Sequence, residues 1–508
     1  MFSIFLSIVI GLAFTWWYKN YTQPKGFPNG PTLALPFIGH GYKLGSNIVE
    51  SYHKFRGKYG DIFGLFLGPS RVVVLNDFDS IQESGFHDDF LDRPSFLPGM
   101  KGTLSDGGEP GVIFSKGKQW SEQRRFALRT LRDFGFGKQK MEEVIDEQVN
   151  QLCSVLESKH GQPMSVFGVF NTSVVNALWT ITTGQGVSAN DPKIQRITQL
   201  MNEFDESSAS PWILVALLFP TIESILSKMG LWHLQFKTAM LEIRKICKRP
   251  ILEHEETFDP NNLRDFIDAH IQKQREPDSG ISFQGNDGKL NLQIVTEDLF
   301  GAGSVTVSMT LTWAMLFLAN RPDIQTKIKK ELKEITGGNR IPTNSERQNM
   351  PFTEATIHEI QRLANIVPNS VPREASKDTH FKGYFIPKGT QIVPNIGEVL
   401  MDPKYFSNPQ KFNPSRFIDE NGRFVPSPYV IPFGLGKRRC LGETLARVEL
   451  FKFFTGIMDH FRLKGQIRSC STKIGPHFHP TGLTPLKFAL LHVRNCAILN
   501  SEGAKKNL

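Results

Sequence analysis

Phe433-Gly-Leu-Gly-Lys-Arg-Arg-Cys-Leu-Gly442 decides the reading of this chain. It sets one cysteine, Cys440, in a glycine-rich loop with three cations, just ahead of a helix expected from Glu443 to Phe454. Lys437, Arg438 and Arg439, together with the positive end of that helix, favour a thiolate. Gly434, Gly436 and Gly442 allow a tight turn and a close approach of backbone to a flat ligand. A lone thiolate displayed this way suits a haem iron as its axial ligand, and thiolate donation favours O–O cleavage. The plainer reading is a reactive or structural cysteine in a basic loop.

The rest of the composition narrows the class. The 508 residues carry 59 Lys+Arg against 50 Asp+Glu, a charge of +9 that suits an anionic membrane surface or an acidic partner rather than dedicated nucleic-acid binding. The five cysteines (Cys153, Cys247, Cys440, Cys470, Cys496) form no CxxC, which argues for a reducing compartment and against a zinc site or a disulfide framework. His358-Glu359-Ile-Gln-Arg362 is not a zinc-protease motif, because arginine stands where the second histidine belongs. No internal repeat or long linker divides the chain after its N-terminus, and no nucleotide-binding fingerprint appears.

The chain opens with MFSIFLSIVIGLAFTWWY, apolar apart from two serines and a threonine and without a basic leader or a clear cleavage site. A retained membrane anchor over residues 1–20 is expected, with Trp16, Trp17 and Tyr18 at the interface and Lys19 and Lys25 on the cytosolic flank. Pro24, Pro28, Pro31 and Pro36 make residues 21–39 a stiff hinge, and a catalytic domain follows over 40–508.

Strands are expected at Asp61–Leu67, Arg71–Leu75, Phe381–Ile386 and Gln391–Val393. Helical periodicity dominates from Trp120 to Leu318, with helices at Met141–Leu156 and Ile194–Phe204 and a buried one at Thr296–Leu318. The apolar run Pro211–Phe219 reads as core or as a loop dipping into lipid. The fold class is mostly α with a minor segregated β part.

The pattern Phe433-x-x-Gly-x-Arg438-x-Cys440-x-Gly resembles the cysteine-ligand loop of cytochrome P450 monooxygenases, and every fixed position is filled. The resemblance runs from Pro28 to Val493 and is strongest with the animal microsomal group of drug-, steroid- and fatty-acid-oxidising members. It implies the P450 fold behind one transmembrane helix, haem b as cofactor, and a cytosol-facing domain on the endoplasmic reticulum membrane. It also implies NADPH–cytochrome P450 reductase and cytochrome b5 as partners.

Residue by residue, the resemblance makes Cys440 the iron ligand and the loop aromatic Phe433 part of the haem site. Trp120 and Arg124, in a WxxxR segment, should meet one propionate, with Arg438 and Arg373 as further propionate partners. Glu359 and Arg362 resemble the family's ExxR pair, and Arg416 in Phe412-Asn-Pro-Ser-Arg-Phe417 completes a structural triad despite Ser415 at the usual glutamate. Asp298-Leu-Phe-Gly-Ala-Gly-Ser-Val-Thr306 resembles the oxygen-activating helix, in which Ala302 and Gly303 leave room for dioxygen and Thr306 orders protons. The acid usually preceding that threonine is Val305, and Val307 replaces a second hydroxyl. Phe114, Asp298, Leu299, Ala302, Ile366, Val367, Leu483 and Leu486 stand at substrate-pocket positions, from which a lipophilic substrate is expected. Val305 keeps a haem-thiolate isomerase, dehydratase or peroxygenase open, and a non-catalytic haem- or lipid-binding protein remains the rival from another class.

Overall fold

The computed structural model describes residues 21–45, 47–95, 102–134, 139–208 (bar 161, 165, 187, 189 and 190), 235–465 and 496–500, with Thr15, Trp17, Ile225 and Met229. The expected anchor apart from Thr15 and Trp17, the run Pro211–Phe219, and Leu483 and Leu486 lie outside the described residues. Helices make the bulk. The strands are β1 (Ile62–Leu67), β2 (Ser70–Leu75), β3 (Pro163–Met164), β4 (Arg373–Glu374), β5 (Thr379–Phe381), β6 (Tyr384–Ile386), β7 (Gln391–Pro394), β8 (Phe461–Gly465) and β9 (Cys496–Asn500). They form three small sheets of order β1-β2-β7-β4, β3-β9-β8 and β5-β6.

Gly68-Pro69 breaks the apolar run into β1 and β2, which pair antiparallel with Leu67 opposite Ser70. β2 then pairs in parallel with β7, Val72 opposite Gln391, so two segments far apart in sequence build one sheet. The stretch Phe381–Ile386, expected as one strand, is a hairpin. Lys382 and Gly383 turn it with φ of 50° and 81°, a left-handed pair suited to a two-residue connection.

The central helix runs Gly285–Leu318, starting well before the expected Thr296. Its first turns are polar outside, and Asp287 sits at the positive end, accepting from the Ser105 N–H at 3.0 Å. An apolar run locates only the buried half of such a helix. The helix is long and apolar enough to cross a membrane, yet most of its apolar window is buried inside the protein. It packs against the helices Asn171–Thr183, Gln235–Thr257, Pro351–Ala364 and Glu443–His460. Val307, Leu311 and Met315 join Val448, Phe451 and Ile457 in the main core.

Residues 21–39, expected as a hinge, lie against the sheets. Gly64 N–H donates to the Asn29 carbonyl and Phe385 N–H to the Gly26 carbonyl, at 2.9 and 2.8 Å, while Tyr21 and Phe27 are buried. Prolines stiffen this segment, but backbone hydrogen bonds hold it down.

Candidate functional site

Cys440 ends a turn closed by its own N–H, which donates to the Phe433 carbonyl at 2.9 Å. Gly434 and Gly436 take φ of 71° and 80°, and a Cβ on Gly436 would lie 1.9 Å from the Gly85 carbonyl oxygen. Glycine is therefore required at 436 by the helix Phe78–Phe86, not by a ligand. Gly442, with φ of −88° and open space beside it, is not conformationally required.

The thiol does not ionise as readily as its basic loop led us to expect. Its residue is exposed, yet the protein packed around the sulfur still displaces solvent, and this desolvation raises its pKa. The Gly442 N–H, hydrogen-bonded to the sulfur, and Arg124 work against the rise, while Glu443 adds to it. The expected cations act elsewhere: Lys437 pairs with Asp88, and Arg438 turns inward onto Trp120.

Above the loop, Arg438 stacks on the Trp120 ring at 3.8 Å and donates to the carbonyls of Leu91 and Ser115, both at 2.7 Å. Arg124 reaches the Arg439 carbonyl at 2.6 Å, and Arg373 the carbonyls of Ser84 and Leu435, both at 2.8 Å. Arg93, which the sequence reading missed, is 6% exposed and donates to the Pro372 carbonyl at 2.7 Å. Asp92-Arg93-Pro94 has no periodicity or motif to mark it. Burial, with mutual repulsion among these guanidiniums, pushes Arg438 down to about 8 and Arg93 to about 9; burial alone takes Arg373 to about 10. The buried Trp120 Nε1–H has no hydrogen-bond partner among the described residues. A cluster of buried cations bonded to neutral carbonyls, with a spare indole donor, calls for an anion. The two propionates of haem, beside a thiol ligand, fit this donor set.

The central helix supplies the opposite wall. Ala302 is exposed in the middle of an otherwise buried helix, flanked by half-buried Leu299, Gly301 and Thr306. A Cβ on Gly301 would meet nothing within 4 Å, whereas one on Gly303 would lie 2.9 Å from Leu178. The free space expected at Gly303 is thus at Gly301; Gly303 instead admits the neighbouring helix. The Thr306 hydroxyl donates to the Ala302 carbonyl at 2.8 Å, leaving its lone pairs to accept a proton donor. Val305 packs against the main core, and Val307 is 2% exposed within it.

Asp298, expected to line the pocket, is 4% exposed and accepts from the N–H groups of Val112 and Ile113 at 2.9 and 3.1 Å. Its carboxylate holds the 111–113 loop to the central helix, so any influence on substrate is indirect. Phe114 and Ile366 are half-buried, Val367 is exposed, and Leu299 shares an apolar cluster with Ile113 and Leu441.

Behind the loop, Glu359 and Arg362 are fully buried and joined by two hydrogen bonds of 2.7 and 2.9 Å. Arg416 Nε donates to the same carboxylate at 3.2 Å, and so does the Asn413 N–H at 2.9 Å. Arg362 also donates to the carbonyls of Leu400 and Pro409, tying one helix to the irregular segment before the cysteine loop.

The Cytochrome P450 family model matches residues 28–487. Cytochrome P450 2G1 of Oryctolagus cuniculus is 34% identical over 497 residues, covering 96% of this chain and 98% of its own. Cytochrome P450 2C23 of Rattus norvegicus is 35% identical over 463 residues, 91% and 92% of the two chains. Cytochrome P450 2A12 of Mus musculus is 35% identical over 469 residues, 91% of each. With a cysteine loop, an arginine cradle and a gapped central helix facing one another, this chain belongs to the cytochrome P450 family and is a haem monooxygenase.

Proposed function

We propose that the protein inserts one oxygen atom from dioxygen into a lipophilic substrate (a steroid, fatty acid or xenobiotic) using haem b and NADPH electrons relayed by a separate reductase, with cytochrome b5 as a second donor. Family membership implies a redox partner and a small-molecule substrate. The observation that carries the finer reading is the cradle: Trp120, buried Arg93, Arg373 and Arg438 and half-buried Arg124 around the Cys440 loop, with open space at Gly301 and Ala302 of the central helix.

When bound, haem supplies the iron and the redox chemistry of oxygen activation. The chain's own residues do the rest. Cys440 ligates, with the Gly442 N–H moderating the sulfur's charge. The arginines and Trp120 bind and orient the carboxylates. Leu299, Ala302, Phe114, Ile366 and Val367 provide apolar surface that orients a substrate and excludes water. Thr306, fixed by its bond to Ala302, accepts a hydrogen bond from water and so orients that water's other proton toward the open side.

The proposed location is the endoplasmic reticulum membrane, residues 1–20 forming the anchor, residues 21–39 a connector, and the catalytic domain facing the cytosol. Protease added to sealed microsomes should then digest the domain, and Asn171 in Asn-Thr-Ser173 should carry no glycan. A glycan at Asn171 would overturn the orientation.

Val305 favours a second reading, in which the protein isomerises, dehydrates or consumes peroxides without a dioxygen proton relay. The two are separated by NADPH consumption with reductase against turnover with peroxide alone, using substrates chosen by a Soret shift. Under the monooxygenase reading the native protein turns over but leaks peroxide. Val305→Glu should raise product per NADPH, since proton transfers of this kind are worth about 10²–10⁴-fold. The same change should lower thermal stability, because it puts a carboxylate against the main core. Thr306→Ala should depress coupling further and leave the CO spectrum intact. Turnover with peroxide only, for every lipophilic substrate tried, would replace the monooxygenase reading.

A further inference from the structure

Three side chains, Phe433, Glu443 and Arg447, meet behind the cysteine turn. Glu443 opens the helix Glu443–His460, and Arg447, one turn on, donates to its Oε1 from Nη2 and Nε at 2.9 and 3.1 Å. The same guanidinium lies over the Phe433 ring, 4.9 Å from its centre. Phe433 is the residue whose carbonyl accepts from Cys440 N–H at 2.9 Å. All three line a cavity of about 610 Å³ on the face of the loop away from the central helix, which Arg439 and Pro432 also border. Neither ion is sealed off: Arg447 and Glu443 keep 37% and 25% of their side-chain surface.

Electrostatics gives the arrangement a direction. Glu443 stands three residues after Cys440, in the first turn of the helix that follows the loop, so its charge opposes added negative charge at the sulfur. Arg447 places a positive charge on that carboxylate and, through the face of Phe433, against the turn carrying the sulfur. An uncompensated carboxylate there would disfavour each electron added to the iron–sulfur unit, and an uncompensated guanidinium would favour it.

On the haem-thiolate reading, we propose that Arg447 is a positioning residue that sets the reduction potential of the ligated iron. It does so by cancelling the charge of Glu443 and clamping Phe433 over the turn.

The test is a spectroelectrochemical titration of the haem-loaded full chain, with the CO-difference spectrum as a check on ligation. Arg447→Gln should move the midpoint to more negative potential and Glu443→Gln to more positive potential. The double variant should return close to the native value. Arg447→Lys should restore part of the shift, since lysine keeps the charge but loses the fork. A merely structural role would lower the yield of thiolate-ligated protein and leave the potential of the surviving fraction unmoved, which would overturn the proposal. So would shifts of the same sign in Arg447→Gln and Glu443→Gln. If Arg447→Gln does not accumulate, the positive shift of Glu443→Gln and the partial shift of Arg447→Lys decide it. A native protein without a thiolate-type CO band would overturn the haem-thiolate reading itself; a native band with unmoved potentials overturns this proposal alone.

Discussion

Cys440→Ala is expected to abolish the long-wavelength Soret band of the reduced, CO-bound protein and with it all oxygen-dependent turnover. No other described side chain stands in for the sulfur. Cys153 and Cys247 are buried, and their thiols are pushed up by that burial, Cys153 to about 12. Replacing either by alanine should leave the spectrum unchanged and cost only stability, in the range of small cavity-forming changes. Substituting Cys470 or Cys496 should likewise leave the band in place. Cys440→Ser is a sharper control, since it keeps the shape of the loop and removes only the soft ligand. Retention of the thiolate-type band in Cys440→Ala would mean that another residue holds the iron, and the cradle assignment would fall with it.

The second large effect is on folding. Glu359 accepts two hydrogen bonds from Arg362, one from Arg416 and one from the Asn413 N–H, with Glu359 and Arg362 both fully buried. Glu359→Ala would leave the Arg362 charge in the interior facing only carbonyls, a loss of about 3–5 kcal/mol. That is comparable with the whole stability of many domains. The expected result is little soluble protein, and no thiolate-type CO band in what remains, because Arg362 and Arg416 hold the segment that leads into the cysteine loop. Glu359→Gln should be milder, keeping an acceptor and the shape while losing the charge. Arg416→Lys should be milder still, since Arg416 Nε makes only one contact of 3.2 Å with the carboxylate. A melting temperature for Glu359→Ala within a degree or two of the native value would show that the triad does not carry this load.

The surface arithmetic at this triad differs from what its spacing alone implies. An i, i+3 ion pair on an exposed helix is worth a few tenths of a kcal/mol. The same pair inside the protein is decisive because Leu400, Pro409 and Asn413 close over it. Burial, which no spacing rule reports, sets the magnitude.

Local chemistry was legible in the chain wherever a residue type has one use at one spacing. The cysteine loop, the ExxR pair, the WxxxR segment and the Ala302–Thr306 stretch all point to their chemistry by composition and register, and the strands β1 and β2 follow from β-branched runs broken at Gly68-Pro69. The hairpin within Phe381–Ile386 was missed because Lys382 takes a left-handed φ that its side chain does not announce. The polar start of the central helix was missed because burial begins only part-way along it.

Tertiary structure alone decided three matters, all of them electrostatic or steric at long range. Arg93 enters the cradle through the folding of two loops, from a sequence with no signal of its own. The Cys440 thiol is shifted up rather than down, because Lys437 and Arg438 fold away to Asp88 and Trp120 and desolvation outweighs the Gly442 N–H and Arg124. Asp298 and Gly303, which read as pocket residues, face a loop and a neighbouring helix, and the open space falls at Gly301. Sequence determined which groups are present and how they are spaced along one element. Which of them meet, and in how much water, depends on contacts between residues distant in the chain, and it is the local dielectric and neighbouring charge at those contacts that set what each group can do.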